Sequence, residues 1–312
     1  MTFKINRMKP QLYHTPVMLR ASLELLSVKP DGVYVDCTFG GGGHSRGILS
    51  RLGDEGRLIA FDQDPDAVVN EIEDPRFTLI QANFRYMGKY LRLEGIRQVD
   101  GVLADLGVSS HQFDTAERGF SLRYSGPLDM RMNPGIPRSA ADLINDWPED
   151  QLAILFYQYG ELPHSRRIAK AIVRARQQTP ITTTEQLNQI CAPFCKKGFE
   201  HHSLARIYQA LRIEVNQEIA ALKEMLLQTT ALVVPGGRLV VISYHSIEDR
   251  LVKVFMRSGN FENRTEKDFY GNDLSPWKPL TRKPLEPEEE EIKANPRSRS
   301  AKLRAATRTH CS

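Results

Sequence analysis

Residues 34–53 read YVDCTFGGGGHSRGILSRLG, and this stretch decides the fold. YVDCTF (34–39) is short, apolar and rich in β-formers, as a buried strand requires. It ends on Gly40, Gly41, Gly42 and Gly43, after which HSRGILSRLG opens as a helix with Gly53 near its end. Glycine at four successive positions lets backbone approach a ligand with no Cβ in the way, beside the positive end of a helix. A nucleotide-like ligand is expected at that turn.

The rhythm continues outward from this unit. RLIAFDQD (57–64) reads as a second strand followed by a helical DPDAVVNEIE, FTLIQANF (77–84) as a third strand and DGVLADLGVSS (100–110) as a fourth. Strand alternating with helix predicts an α/β fold with a doubly wound, mostly parallel sheet. After Ser110 the alternation stops. SAADLINDW, EDQLAILFYQYG, HSRRIAKAIVRARQQ, TTTEQLNQICAPF and HHSLARIYQALRIEVNQEIAALKEML all carry helical periodicity. The sheet pattern resumes at GGRLVVISYHS (236–246) and a further helix, IEDRLVKVFMRSG. The expected architecture is therefore a discontinuous α/β domain, 1–112 and 209–312, split by an inserted all-helical domain at 113–208. From Asn260 the chain carries Pro276, Pro279, Pro284, Pro287 and Pro296 and reads as extended chain and edge structure.

Composition agrees with a compact globular protein. The 312 residues are 41% hydrophobic and 26% charged, which excludes wholesale disorder and fibrous classes. Aliphatic runs such as Leu239 to Ile242 are strand-sized, so no membrane span is expected. The stretch MTFKINRMKPQLYHTP lacks an apolar signal core, and a cytoplasmic protein is expected. Cys37, Cys191, Cys195 and Cys311 are too scattered for a disulfide framework. Cys191 and Cys195 with His201 and His202 could be read as zinc ligands, but their C-x3-C-x5-H-H spacing departs from the usual structural sites. Helix residues packing inward is the expected role of the cysteines, with no metal.

The formal net charge of +4 is unevenly spread. Lys293, Arg297, Arg299, Lys302, Arg304 and Arg308 follow the acidic run Glu288 to Glu291 with no intervening acid. A second block places Arg166, Lys170 and Arg174 every four residues, opposite Ile168, Ile172 and Ala175, which predicts an amphipathic helix with a cationic face. Together they point to a polyanionic partner, RNA or DNA.

The glycine turn is not a Walker A loop, because no G-x4-G-K-[ST] occurs. It also fails the dinucleotide fingerprint, whose last position would be Ser45 or Arg46. Asp62 ends the second strand, where a carboxylate accepts hydrogen bonds from ribose hydroxyls. With Asp36 on the first strand, the arrangement looks like the S-adenosylmethionine loop of class I, Rossmann-like methyltransferases. Asp105 ends the fourth strand, at the edge where open α/β sheets place ligands and chemistry.

Seven blocks in order carry a closer resemblance: HTPVML (14–19), DCTFGGGGHS (36–45), DLGVSS (105–110), ERGFS with GPLDMRM (117–132), QALRIEVN (209–216), PGGRLVVISYHSIEDR (235–250) and NPRSRSAKLR (295–304). Together they resemble the bacterial S-adenosylmethionine-dependent methyltransferase family that modifies N4 of a cytidine in the decoding region of small-subunit (16S) ribosomal RNA. The resemblance implies that Gly42, Gly43 and His44 contact the methionine part of the cofactor, Asp62 its ribose and Phe84 the adenine surroundings. It implies that Asp105 and Gln112 complete the pocket. The chain departs from the family pattern at Cys37, where Gly or Ala is common, at Gly41 in a variable slot, and at His111, where proline is usual.

An exocyclic amine conjugated with a ring needs orientation and a proton acceptor, and Asp105 or a nearby backbone carbonyl is the expected acceptor. Phe120, Tyr124 and His245 are candidates for contacting the base, and Arg118 and Arg131 for positioning phosphates. The expected partner is small-subunit ribosomal RNA, naked or in the assembled small ribosomal subunit, and self-association as a homodimer stays open. Two other readings stand beside this one: methylation of another RNA or DNA position, and a non-catalytic RNA-binding assembly factor on the same fold.

Overall fold

The computed structural model describes residues 16–265, 267–271 and 273–309; His14, Thr15 and Cys311 lie outside the described residues. Seven strands form one sheet: β1 (Val33–Asp36), β2 (Arg57–Asp62), β3 (Phe77–Gln81), β4 (Val99–Asp105), β5 (Val233–Ser243), β6 (Trp277–Pro279) and β7 (Lys302–Arg308). Their order is β3-β2-β1-β4-β5-β7-β6. The first five run parallel, with Val35 opposite both Ile59 and Val102 and Leu103 opposite Val240. The order reverses between β1 and β4, which opens a crevice at the carboxyl ends of those strands.

The helices are α1 (Leu19–Leu26), α2 (Gly43–Leu49), α3 (Met87–Leu93), α4 (Ser110–Asp114), α5 (Ala140–Asp146), α6 (Glu149–Gln158), α7 (Ser165–Arg176), α8 (Thr184–Cys191), α9 (Glu200–Val215), α10 (Glu218–Leu232), α11 (Ser246–Ser258) and α12 (Glu289–Ala294). Parallel strands covered on both faces are apolar at successive positions. Tyr34, Leu58, Ala60, Leu103 and Ile242 pack with α1 and α2 on one face, while Val35, Ile59, Phe61, Val102 and Ala104 pack with α3, α10 and α11 on the other. Gly101 lets β4 lie this close to α1, since a Cβ there would stand 2.8 Å from Leu26 and 3.0 Å from the Tyr34 ring. No helix among the described residues is long and apolar enough to cross a membrane.

A separate hydrophobic core unites Phe120, Leu128 and Met130 with α5 to α9. Capping boxes fix where two of its helices start, Ser139 with Asp142 on α5 and Thr183 with Gln186 on α8. Helix α9 runs through the 208/209 boundary expected from the sequence, and its Ala210, Leu211 and Val215 belong to this second core. The long helical run of that region is two helices, broken at Asn216 and Gln217, with Gln217 in the left-handed region at φ 53°. DPDAVVNEIE forms only a short 3-10 turn, Pro65–Asn70.

The C-terminal segment KLRAATR, in the stretch expected to be extended chain and edge structure, inserts as β7 between β5 and the edge strand β6, antiparallel to both. Leu303, Ala305 and Ala306 are buried there. Arg304 is 7% exposed and makes a two-point ion pair with Asp249 of α11, at 2.7 and 3.1 Å. Arg308 donates to the carbonyls of Thr230 and Pro276, and Arg297 pairs with Asp114. Half of that basic run is therefore committed inside the fold, and of the six only Lys293 and Arg299 are exposed. Removing one partner of a buried pair leaves an uncompensated charge. Arg304→Ala is expected to lower the unfolding free energy by about 3 kcal/mol, with Arg299→Ala changing it by less than about 0.5 kcal/mol, as urea titration would measure.

Cys191 is buried at the end of α8, and the Cys195 thiol faces the Cys191 carbonyl, while His201 and His202 are exposed on α9. These four side chains do not converge on a common point.

Candidate active site

The crevice at the β1/β4 switch point is a cavity of about 760 Å³, lined by the glycine turn, the ends of β1, β2, β4 and β5, the turn after β3, and the facing ends of α9 and α10. The glycine turn is tight. Gly40 and Gly42 take positive φ, at 50° and 75°, and the Gly42 N–H donates to the Phe39 carbonyl at 2.7 Å. A Cβ at Gly43 would come within 2.4 Å of the Pro16 ring, so the turn packs directly beneath that residue.

Carboxylates at the ends of three adjacent strands face this turn. Asp36 accepts from the Ser45 hydroxyl at 2.7 Å and from the Thr38 N–H at 3.0 Å, which anchors β1 to α2. Asp62 accepts the Gly40 N–H on Oδ2 at 2.8 Å and the Asp64 N–H on Oδ1 at 2.9 Å. Each Asp62 oxygen keeps a lone pair, the arrangement a vicinal diol needs. Asp105 is fixed by its own N–H donating to Thr38 Oγ1 at 2.7 Å. Its Oδ1 accepts the Tyr244 hydroxyl at 2.7 Å, and its Oδ2 stands 3.8 Å from His44 Nδ1. His44 Nε2 lies 3.1 Å from the Val17 carbonyl, which only accepts, so the ring proton is assigned to Nε2 and Nδ1 is left bare. Burial depresses the His44 pKa and keeps the ring neutral.

Burial pushes both Asp62 and Asp105 up to about 6. Between the ordinary value of 3.8 and about 6 the folded state holds protons that the unfolded chain has lost. Stability contributed by these groups therefore falls as pH rises through that window, and their destabilising effect is complete above it. Unfolding free energies of the ligand-free protein measured from pH 4 to 6.5 are expected to show a smaller downward slope in the Asp62→Asn, Asp105→Asn double variant than in the unaltered protein.

The rest of the near wall is built by amides. The Gln112 side-chain amide donates to Asp64 Oδ2 at 2.6 Å, and its oxygen accepts the Ser109 N–H in the capping box that starts α4. Asn83 donates to Gln63 at 2.8 Å and caps the turn that carries Phe84. His111 extends to Asp66 at 3.3 Å, so the residue standing at a usual proline position is held from its side chain.

The far wall is ionic. Arg212 forms a two-point pair with Glu218 at 2.8 and 2.9 Å across the α9/α10 break. Asn216, in that break, holds the Met130 carbonyl and the Met132 N–H. Glu248 accepts the Tyr244 N–H at 3.0 Å and lies 3.1 Å from His245 Nε2, off the axis of a hydrogen bond. Glu218, His245 and Glu248 converge closely enough to hold a metal ion. Two features oppose it: a guanidinium already neutralises Glu218, and His245 Nδ1 accepts the Glu248 N–H, which leaves the proton on Nε2. The cation of this cluster is Arg212.

Of the residues singled out from sequence, Gly43, His44, Asp62, Phe84, Asp105 and Gln112 line this one cavity. Gly42 shapes the turn without lining it. The three residues assigned to the RNA are each tied within the fold. Arg118 is held by Asp64, Asp66 and the carbonyls of Arg131 and Met132. Arg131 is held by Asp129 and the carbonyls of Pro134 and Ile136. Their side chains are 12% and 26% exposed, and their guanidinium groups are largely committed within the fold. His245 caps α11 through Nδ1, and its side chain is only 7% exposed. Phe120 is buried in the second core, whereas Tyr124 is exposed. Sequence reasoning gave no role to Thr38, Arg212, Asn216, Glu218 or Glu248. The blocks QALRIEVN and SYHSIED contain most of them, and an unexplained polar run at the end of a strand or helix was the available signal.

The model of the MraW methylase family matches residues 11–309. Relatives named ribosomal RNA small subunit methyltransferase H are 58% identical in Christiangramia forsetii, over 94% of this chain and 97% of that protein, and 55% identical in Bacteroides fragilis over the same shares. In Flavobacterium psychrophilum the identity is 55% over 93% of this chain and 99% of the relative. Among solved structures, an rRNA methylase from Streptococcus thermophilus aligns over 94% of each chain at 11% identity with a TM-score of 0.38, a likeness that adds nothing on function.

Proposed function

The chain belongs to the MraW methylase family, and from that premise we propose that it methylates N4 of one cytidine in the decoding region of small-subunit ribosomal RNA. It is an S-adenosylmethionine-dependent methyltransferase. The observation that carries the site assignment is the single cavity in which the glycine turn, a half-satisfied Asp62 and an Asp105 with one uncommitted oxygen meet.

These residues fit the cofactor. The backbone of Gly43 and His44 seats its amino-acid end on the turn that Gly42 shapes, Asp62 takes the ribose hydroxyls on its spare lone pairs, and Phe84 flanks the adenine. Gln112 stiffens the wall between them through Asp64. When bound, S-adenosylmethionine supplies a methyl group on a positively charged sulfur. Cytosine N4 is a weak nucleophile because its lone pair is delocalised into the ring. Asp105 Oδ2 accepts a proton from that amine and orients it, the two tasks such a transfer demands. The target base leaves its stack to enter the crevice.

The helical insertion, residues 113–208, is the substrate side of the protein. On α7, Ile168 and Ile172 are buried, and Arg166, Lys170 and Arg174 all face solvent. This face meets RNA phosphates, in the cytoplasm where the ribosomal subunit is assembled. The test is transfer from labelled S-adenosylmethionine to small subunits lacking the modification, with naked ribosomal RNA and DNA in parallel. Label is expected in the small-subunit RNA. Label in DNA, or none despite bound cofactor, would overturn the assignment.

A further inference from the structure

Tyr244 lies at the end of β5, lines the cavity, and has no role in the reading above. Its hydroxyl reaches Asp105 Oδ1 at 2.7 Å, and its ring packs on the turn after β4, where a Cβ at Gly107 would stand 3.3 Å from it. Its backbone is pinned as well, since the Tyr244 N–H donates to Glu248. Burial and the adjacent carboxylate push the Tyr244 phenol well above its ordinary value, so the hydroxyl remains a donor. The Asp105 side chain keeps 21% of its surface exposed, on the cavity, and among the described residues no donor reaches Oδ2. His44 Nδ1, 3.8 Å away, is bare.

We propose that Tyr244 is a positioning residue for Asp105: its hydroxyl occupies Oδ1, fixes the carboxylate plane, and leaves Oδ2 as the one oxygen able to take the proton. This rests on the cytidine-N4 reading of the site. As the bond from N4 to the methyl carbon forms, the bond from that carbon to sulfur breaks, and its electron pair stays on sulfur. The N4 proton passes to Asp105 Oδ2, and the carboxylate becomes a neutral acid. A donor on Oδ1 stabilises the carboxylate, so it also lowers the pH at which Asp105 becomes competent to accept. The other titratable groups facing Asp105 are Asp36 from β1 and Glu248 from α11, which oppose its ionisation, and His44 from α2, whose ring is neutral. Tyr244 is the group among them that contacts it directly.

The experiment compares Tyr244→Phe with the unaltered enzyme in two readouts. One is the titration of the Asp105 carboxyl, followed by carbon NMR in ligand-free protein and assigned with Asp105→Asn. The other is the pH profile of single-turnover N4 methylation. Losing one hydrogen bond to a carboxylate is expected to move both the titration and the acid limb upward by about one pH unit. Well above the limb the rate should recover to within a few fold. Incorporating 3-fluorotyrosine at Tyr244, a stronger donor, should move both downward. Curves that coincide with those of the unaltered enzyme, or a loss equal at every pH, would overturn the role of Tyr244 while leaving the cytidine-N4 reading intact. Unaltered enzyme that forms no N4-methylcytidine would instead strike that reading and this inference with it.

Discussion

Asp105→Asn is expected to reduce the single-turnover rate of methyl transfer by about 10²–10⁴-fold, the range that a positioned proton acceptor supplies. The substitution keeps the side chain's shape. An asparagine oxygen can still accept from the Tyr244 hydroxyl, and the backbone N–H still donates to Thr38. S-adenosylmethionine affinity, measured by calorimetry, should change by less than about threefold, under 1 kcal/mol. Loss of cofactor binding in parallel with activity would instead make Asp105 a cofactor ligand and leave the proton acceptor to be found elsewhere.

The second large effect concerns the RNA. Replacing Arg166, Lys170 and Arg174 together by Gln is expected to weaken binding of small-subunit RNA roughly 10- to 100-fold near physiological salt. The slope of log affinity against log salt should flatten by about 2 to 3, since each lost phosphate contact removes somewhat less than one released counterion. These three side chains are exposed and their helix is anchored by Ile168 and Ile172, so folding should be unaffected. The rate at saturating RNA should likewise change little. An unchanged salt slope would remove α7 from the interface. The same experiment on Arg118 or Arg131 would be uninformative, because both are structural ties of the loop that carries Met132.

The parallel strands were legible because burial on both faces forces apolar residues into consecutive positions, as in Leu58 to Phe61 and Val102 to Ala104. The glycine turn was legible because Gly is the residue that tolerates φ of 50° and 75° without cost. β7 was legible only as extended edge structure, since its place inside the sheet brings Arg304 to Asp249, a partner on α11 that no local pattern identifies. The ties of Arg118 were hidden for the same reason, its acids lying on the turn after β2. The break between α9 and α10 carries neither glycine nor proline. It exists because Asn216 is held by the chain at Met130 and Met132, and it brings Arg212 and Glu218 together at the cavity. Local patterns marked one wall of the cavity, while the facing wall depends on the long-range contacts of Asn216 with Met130 and Met132.

The most direct test of the central claim is nucleoside mass spectrometry of small-subunit RNA after one turnover, comparing unaltered enzyme with Asp105→Asn. The account predicts N4-methylcytidine at a single position with the unaltered enzyme and its near absence with the variant. A methyl group on another atom or nucleoside, or N4-methylcytidine formed equally well without the Asp105 carboxylate, would contradict it.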